Sequence, residues 1–229
     1  AADMDALLSL AQARDLLLIE DCAQAHGALY QGRKLGTLGS MGAFSFYPTK
    51  NMGAYGDGGA VITDDDALAE KLRKLRNYGQ SSRYHHQSRG TNSRLDELQA
   101  AVLRVKLAHL DELNQRRRDI AAIYEANLTG VHKPSARADS QHVYHLYVIR
   151  DAQRDQLMTD LQERGIGTLI HYPVPVHLQE SHRDLGLGAG SLPYTERAAR
   201  EILSLPLYIG LSDDDALRVC EAISQLRGV

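Results

Sequence analysis

Leu16-Leu17-Leu18-Ile19-Glu20-Asp21 reads as a short apolar strand that runs out onto two carboxylates. Apolar residues without alternation suit a strand covered on both faces, as in the parallel sheet of an α/β layer. The segment before it agrees. Asp3 or Asp5 can cap a helix running to about Arg14, with Leu7, Leu8, Leu10 and Ala11 on one face. A helix feeding a buried strand places Glu20 and Asp21 at the carboxyl end of that strand, where open α/β sheets bind their ligands.

Further along, Gly32 to Gly42 is glycine-rich and predicted to be loop. Ala43-Phe44-Ser45-Phe46-Tyr47 alternates large and small residues as a second strand, stopped by Pro48, with Lys50 just beyond it. A glycine-rich turn, Gly53 to Gly59, leads into a strand over Ala60-Val61-Ile62-Thr63. Asp64 is the expected cap of a helix that reaches about Tyr78 and ends at Gly79. Residues 80–92 are polar and irregular, and Arg94 to about Leu128 is amphipathic and long enough for a helix pair or a bent helix. Val143 to Ile149 alternates as a strand. A helix, a short strand over Thr168 to His171, a Pro-rich turn and two more helices complete an α+β unit. The expected division falls near residue 112, giving domains 1–112 and 113–229.

Composition narrows the classes of function. A chain of 229 residues with 43% hydrophobic and 24% charged residues has the balance of a soluble globular protein. Its net charge of -3 provides no global basic field, which argues against nucleic acid as a partner. Arg116-Arg117-Arg118 is the one tight basic run, and its Gln and Asp neighbours predict a solvated helix face. Cys22 and Cys220 form no CxxC pair, so reduced thiols in a cytoplasmic protein are expected, without a disulfide framework or zinc knuckle. No apolar run approaches the ~18 residues of a membrane span, and no leader pattern opens the chain. Ala1 is read as an internal point of a longer natural chain. His142 and His145 would face opposite sides of a strand, a poor metal pair. Gly56-x-Gly58-Gly59 precedes a strand, where a dinucleotide fingerprint would follow one. Neither a metal nor an NAD site is expected.

The chemistry-bearing block is Glu20-Asp21-Cys22-Ala23-Gln24-Ala25-His26 together with Ser45-Phe46-Tyr47-Pro48-Thr49-Lys50-Asn51. Both stretches lie at strand ends, so a fold could gather Asp21, Gln24, Ser45 and Lys50 around one pocket. A carboxylate, a hydroxyl and an amine converging there suit a phosphorylated aldehyde with a pyridine ring. Taken singly these residues decide nothing, since a lysine beside a turn is usually solvated and an aspartate at a strand end is often a cap.

Taken together they resemble the DegT/DnrJ/EryC1/StrS family of sugar aminotransferases. The resemblance runs through IEDCAQAHGA (Ile19 to Ala28), GAFSFYPTKNMGAYGDGGA (Gly42 to Ala60), GTNSRLDELQAAVLRVKL (Gly90 to Leu107), IHYPVPVHLQ (Ile170 to Gln179) and LSLPLY (Leu203 to Tyr208). It implies an α/β chain of the type I PLP-dependent transferase (aspartate aminotransferase-like) fold: part of a large domain, then a smaller α+β domain. It implies pyridoxal 5'-phosphate as cofactor, held covalently by Lys50, which also shuttles the proton. By the same resemblance Asp21 pairs with the pyridine nitrogen, Gln24 meets the ring or its 3′-oxygen, and Ser45 binds the phosphate. Asn92 matches an asparagine that reaches the neighbouring subunit's cofactor phosphate, so a homodimer with shared sites is implied. His171, Tyr172 and His177 fall in a motif used near the sugar, or else they pack. His26 is read either as a neighbour of the cofactor or as a buried structural residue. The family's upstream phosphate loop and ring-stacking aromatic have no counterpart in the sequence.

The implied reaction is transamination of a nucleotide-diphosphate-linked keto sugar, with L-glutamate as donor. Tyr47 and the HYPVPVHLQ segment look most like members acting on 3-keto-6-deoxyhexoses. Two rivals stand beside it. A PMP-dependent sugar dehydratase would carry His at the anchoring position, where this chain has Lys50; a non-catalytic relative would serve as a binding or assembly module.

Overall fold

The computed structural model describes residues 1–228. The chain divides into two compact units, Ala1–Gln115 with Ala136–His145, and Arg116–Ser135 with Leu146–Val229.

The first unit begins with α1 (Met4–Ala13), whose cap is Asp3: its carboxylate accepts from the Ala6 N–H at 3.2 Å. The helix buries Met4 and Ala11, while Leu7 and Leu10 stay exposed. The first strand, β1 (Ile19–Asp21), starts later than the apolar run suggests; Leu16 to Leu18 precede it as irregular chain. A small hairpin, β2 (Leu29–Tyr30) and β3 (Arg33–Lys34), occupies part of the predicted glycine loop. Next come β4 (Met41–Ser45), β5 (Gly59–Ile62) and α2 (Asp66–Leu75). The cap of α2 is Asp65 rather than Asp64, because its carboxylate reaches the Ala67 and Leu68 N–H groups at 2.7 and 3.0 Å.

β1, β4 and β5 form one sheet in that order, parallel between β1 and β4 and antiparallel between β4 and β5. The parallel pairing expected of an α/β layer is found between β1 and β4, and β5 adds an antiparallel strand at the edge. Ile19 is 57% exposed and Val61 47%, so apolar side chains on both outer strands lack cover within this chain. The polar stretch after α2 forms a second hairpin, β6 (Gln80–Ser82) and β7 (His85–His86). The long amphipathic segment is a helix pair, α3 (Glu97–Leu107) and α4 (Leu110–Asn127).

β8 (Ser140–Gln141) pairs with β2, Leu29 opposite Gln141 and Tyr30 opposite Ser140. That pairing explains why residues 136–145 group with the first unit, although a division near 112 puts them in the second domain.

The second unit contains β9 (Tyr147–Arg150), α5 (Arg154–Glu163), α6 (Pro193–Glu201), β10 (Ile202–Leu205) and α7 (Asp213–Arg227). β9 and β10 pair antiparallel, with Ile149 opposite Leu203. Thr168 to His171 contributes a single bridge, Leu169 to Ser204, in place of the predicted strand. Ile120, Tyr124, Ile149, Leu157, Leu161, Leu203 and Ile223 are completely buried. Each such aliphatic side chain contributes roughly 1.5–3 kcal/mol by leaving water.

The arginine run departs from its predicted solvated face. Arg117, Ile120, Ala121 and Tyr124 follow the i, i+3, i+4, i+7 spacing of one helix stripe, and all four are buried. Burial holds the Arg117 pKa below the usual guanidinium value. Arg116 is tied to Asp213 at 2.7 Å and donates to the Leu211 carbonyl.

Candidate active site

Register brings Asp21 and Ser45 to one end of the sheet. Asp21 lies opposite Ala43, and Ser45 is two residues further along the same strand. Paired residues share a face and the pleat has a period of two, so Asp21, Ala43 and Ser45 project from the same side.

The neighbouring carboxylates part company here. Glu20 is buried on the other face and accepts from the N–H groups of Gly36, Leu38 and Gly39, each at 2.7 Å. Its charge is fully used in holding that loop, where Gly36 has a φ of +92°. Asp21 is exposed and, among the described residues, its carboxylate accepts only from the Ala23 N–H, at 3.0 Å. Of the two, Asp21 is the carboxylate exposed to a ligand.

Past Ser45 the chain makes a short loop that carries Lys50. The Ala54 N–H closes it onto the Phe46 carbonyl at 2.8 Å, and the Lys50 N–H donates to the Tyr47 carbonyl at 2.9 Å. Met52 and Ala54 anchor it in an apolar cluster with Leu103 and Leu110, and Lys106 donates to the Gly53 carbonyl. The loop is fixed from below, while Lys50 itself is only half-buried. Among the described residues, neither the Lys50 amine nor the Gln24 amide has a hydrogen-bond partner. The Ser45 hydroxyl accepts from the Tyr47 N–H at 3.3 Å and keeps its own proton to donate.

His26 lies under this group, with its ring centroid 5.5 Å from that of Phe44 and 6.1 Å from that of Phe46. Neither ring nitrogen has a partner among the described residues. Burial pushes its pKa down to about 4, opposed by the Ser45 backbone and reinforced by the Lys50 cation. The ring is therefore neutral at pH 7. Cys22 is likewise buried, and loss of solvation, with Glu20 and Asp21 adding to it, raises its thiol to about 11. It is an inert packing thiol.

Asn92 is exposed and borders a different space, a groove of about 990 Å³ walled also by Arg73, Arg76 and Arg94. Lys50, Asp21 and Gln24 are not among the groove's lining residues. In the second unit, His171 Nδ1 is 2.8 Å from the Ser204 hydroxyl and Tyr172 is 65% exposed. His177 is buried, with Nε2 3.2 Å from the Glu196 carboxylate. Glu196 also accepts from the Gly190 and Leu192 N–H groups, and these bonds, Gly190's foremost, hold its pKa below the usual carboxylate range. His177 is thus buried against Glu196, and Tyr172 is the exposed member of the motif.

Sequence reasoning passed over two buried asparagines, Asn51 and Asn114, which are hydrogen-bonded to one another at 2.9 Å. Asn51 adjoins the lysine, but nothing in the charged sequence around Asn114 announces its partner. Among the described residues no three His, Cys, Asp or Glu side chains gather as metal ligands, and no helix is long and apolar enough to cross a membrane.

A cofactor with a pyridine ring, an aldehyde and a phosphate fits these residues on their donor chemistry. A carboxylate, an unspent amine, an unspent amide and a hydroxyl lie at one end of one sheet.

Comparison with known proteins agrees. Residues 1–224 match the DegT/DnrJ/EryC1/StrS aminotransferase family. The chain is 52% identical over 227 residues to the dTDP-3-amino-3,4,6-trideoxy-alpha-D-glucose transaminase of Streptomyces venezuelae, covering 98% of this chain and 60% of that protein. It is 46% identical over 227 residues to the dTDP-3-amino-3,6-dideoxy-alpha-D-galactopyranose transaminase of Aneurinibacillus thermoaerophilus, covering 98% and 62%. Its fold superposes on S. venezuelae DesV, solved in complex with a ketimine intermediate, with a TM-score of 0.96 at 51% identity, over all of this chain and 62% of DesV. The chain therefore has the fold of these aminotransferases and spans about 60% of the relatives' length.

Proposed function

The chain belongs to the DegT/DnrJ/EryC1/StrS aminotransferase family, and from that premise we propose that it carries the lysine-bearing part of a PLP-dependent nucleotide-sugar aminotransferase. The observation that carries the reading is the set of unspent groups at one sheet end: the Lys50 amine, the exposed Asp21 carboxylate and the Gln24 amide. Pyridoxal phosphate, when bound, supplies an electron sink for breaking and making the bond between Cα and hydrogen.

Everything else falls to the protein's own side chains. The Lys50 amine would hold the cofactor covalently and would hold and move a proton at Nζ. Asp21 keeps a proton on the pyridine nitrogen by placing a full negative charge beside it. Gln24 orients the ring through its amide, and the Ser45 hydroxyl donates to phosphate. His26, neutral and buried, leaves the positive charge near Lys50 unopposed by a second cation.

Asn92, which lines a groove that Lys50 does not, is assigned to the site of a second subunit, making the working unit a homodimer. The substrate is a nucleotide-diphosphate-linked 3-keto-6-deoxyhexose, and L-glutamate is the donor. Two relatives named for 3-amino dTDP sugars support the position of the keto group, and Tyr172 is an exposed candidate for the sugar side.

A panel of nucleotide-linked keto sugars tests this. The 3-keto-6-deoxy compounds should be aminated, with glutamate consumed in equal amount. Turnover confined to 4-keto sugars would overturn the substrate assignment, and deoxygenation in place of amination would replace it with the dehydratase.

A further inference from the structure

The Lys50 loop carries a second side chain that the proposed chemistry does not use. Asn51 is 7% exposed and its amide is fully engaged. Its Nδ2 donates to Asn114 Oδ1 at 2.9 Å and to the Val143 carbonyl at 3.0 Å, and its Oδ1 lies 3.2 Å from His145 Nδ1. Asn114, 2% exposed in α4, donates from Nδ2 to the His26 carbonyl at 2.8 Å. A backbone carbonyl can only accept, so Val143 and His26 fix which way both amides face. His145 must then donate from Nδ1. The result is one directional chain, His145 to Asn51 to Asn114 to the His26 carbonyl. Gly27 makes room for it: a Cβ there would stand 2.9 Å from Asn114 Nδ2.

Its links from Asn51 to the His26 carbonyl join the two turns that bear the candidate chemistry. Asn51 adjoins Lys50. His26 follows the turn that starts at Asp21, which the Ala25 N–H closes onto the Cys22 carbonyl at 3.0 Å. Backbone pairing between the strands stops short of both turns, its last link being the Cys22 N–H to the Ala43 carbonyl at 2.8 Å. Beyond that link the side-chain amides carry the connection. A buried amide chain with every donor and acceptor matched is rigid, and losing one member leaves its neighbours unsatisfied.

We infer that Asn51 and Asn114 are positioning residues that lock the Lys50 turn to the Asp21–His26 turn, setting the amine's distance and angle to the group held by Asp21 and Gln24. The inference rests on the proposal that Lys50 and Asp21 serve one cofactor. Misplacement of a reacting group by about 1 Å can cost on the order of 10²-fold in rate.

The test compares Asn114→Ala, Asn51→Ala and their double variant in the cofactor-loaded protein, with Leu157→Ala as an equally destabilised control far along the chain. Asn114→Asp, which keeps the acceptor for Asn51 and turns an oxygen toward the His26 carbonyl in place of the donor, serves as a second variant if the alanine variant does not fold. The single variants should lower kcat about 10- to 100-fold with little change in KM. They should also move the pH midpoint of the bound cofactor's absorbance, and the double variant should be no worse than the worse single one. Without cofactor, hydrogen exchange should speed up together in residues 47–52 and 22–27, which Leu157→Ala leaves unchanged. An unmoved midpoint with exchange confined to α4, or the same kcat loss in Leu157→Ala, overturns the inference. A wild-type protein that takes up no cofactor overturns the proposed function itself, and this inference with it.

Discussion

The two units solve opposite problems. In the second, buried charged groups are paired internally, His177 with Glu196 and Asp151 with Arg227 at 2.6 Å, around a core whose largest side chains are completely buried. In the first, Leu10, Leu16, Leu17, Ile19 and Val61 remain exposed, while Lys50 and Gln24 have no partner among the described residues. One unit uses its side chains for stability and the other holds side chains in reserve. The proposed cofactor chemistry lies where the polar groups are unspent.

Removing a group from each unit breaks or sharpens that contrast. In the first, Asp21→Asn should retain cofactor yet lose ~10²-fold or more in rate, since even a few kcal/mol of transition-state stabilisation is worth that much. A near-normal rate with cofactor bound would remove Asp21 from the chemistry.

In the second, Leu157→Ala should lower stability by about 2–5 kcal/mol, read from denaturant midpoints at unchanged slope. The loss should not alter the covalent linkage at Lys50. A rate loss exceeding the fraction unfolded would show that the core also serves the chemistry.

A pH-dependent effect concerns His26, a buried titratable ring beneath the site. Its folded pKa of about 4 lies below the unfolded value of about 6.5. The unfolded chain therefore takes up the proton first as pH falls. The stability present above pH 6.5 declines through the interval down to about 4, by on the order of 3 kcal/mol at its fullest. His26→Leu should flatten stability across that interval. An equally steep loss in the variant would assign the acid sensitivity elsewhere.

How much could be read beforehand follows from range in sequence. Asp21 to Gln24 and Ser45 to Lys50 are each a contiguous motif, so their placement at strand ends was legible from short stretches. The β1 boundary was misjudged because Leu16 to Leu18 look like strand interior, yet the pairing with Met41 begins only at Ile19. Arg117 was misassigned because a guanidinium on the buried stripe of α4 hides that stripe's periodicity. The link from Asn51 to Asn114 and the pairing of β8 with β2 join residues far apart in the chain, and no local signal encodes either.

The central claim is that Lys50 is the amine that holds the cofactor. Borohydride reduction of the cofactor-loaded protein, followed by proteolysis and mass mapping, tests it directly. The account predicts a single pyridoxyl group on the peptide containing Lys50. A label on Lys34, Lys71 or Lys106 instead, with Lys50 unmodified, would contradict it.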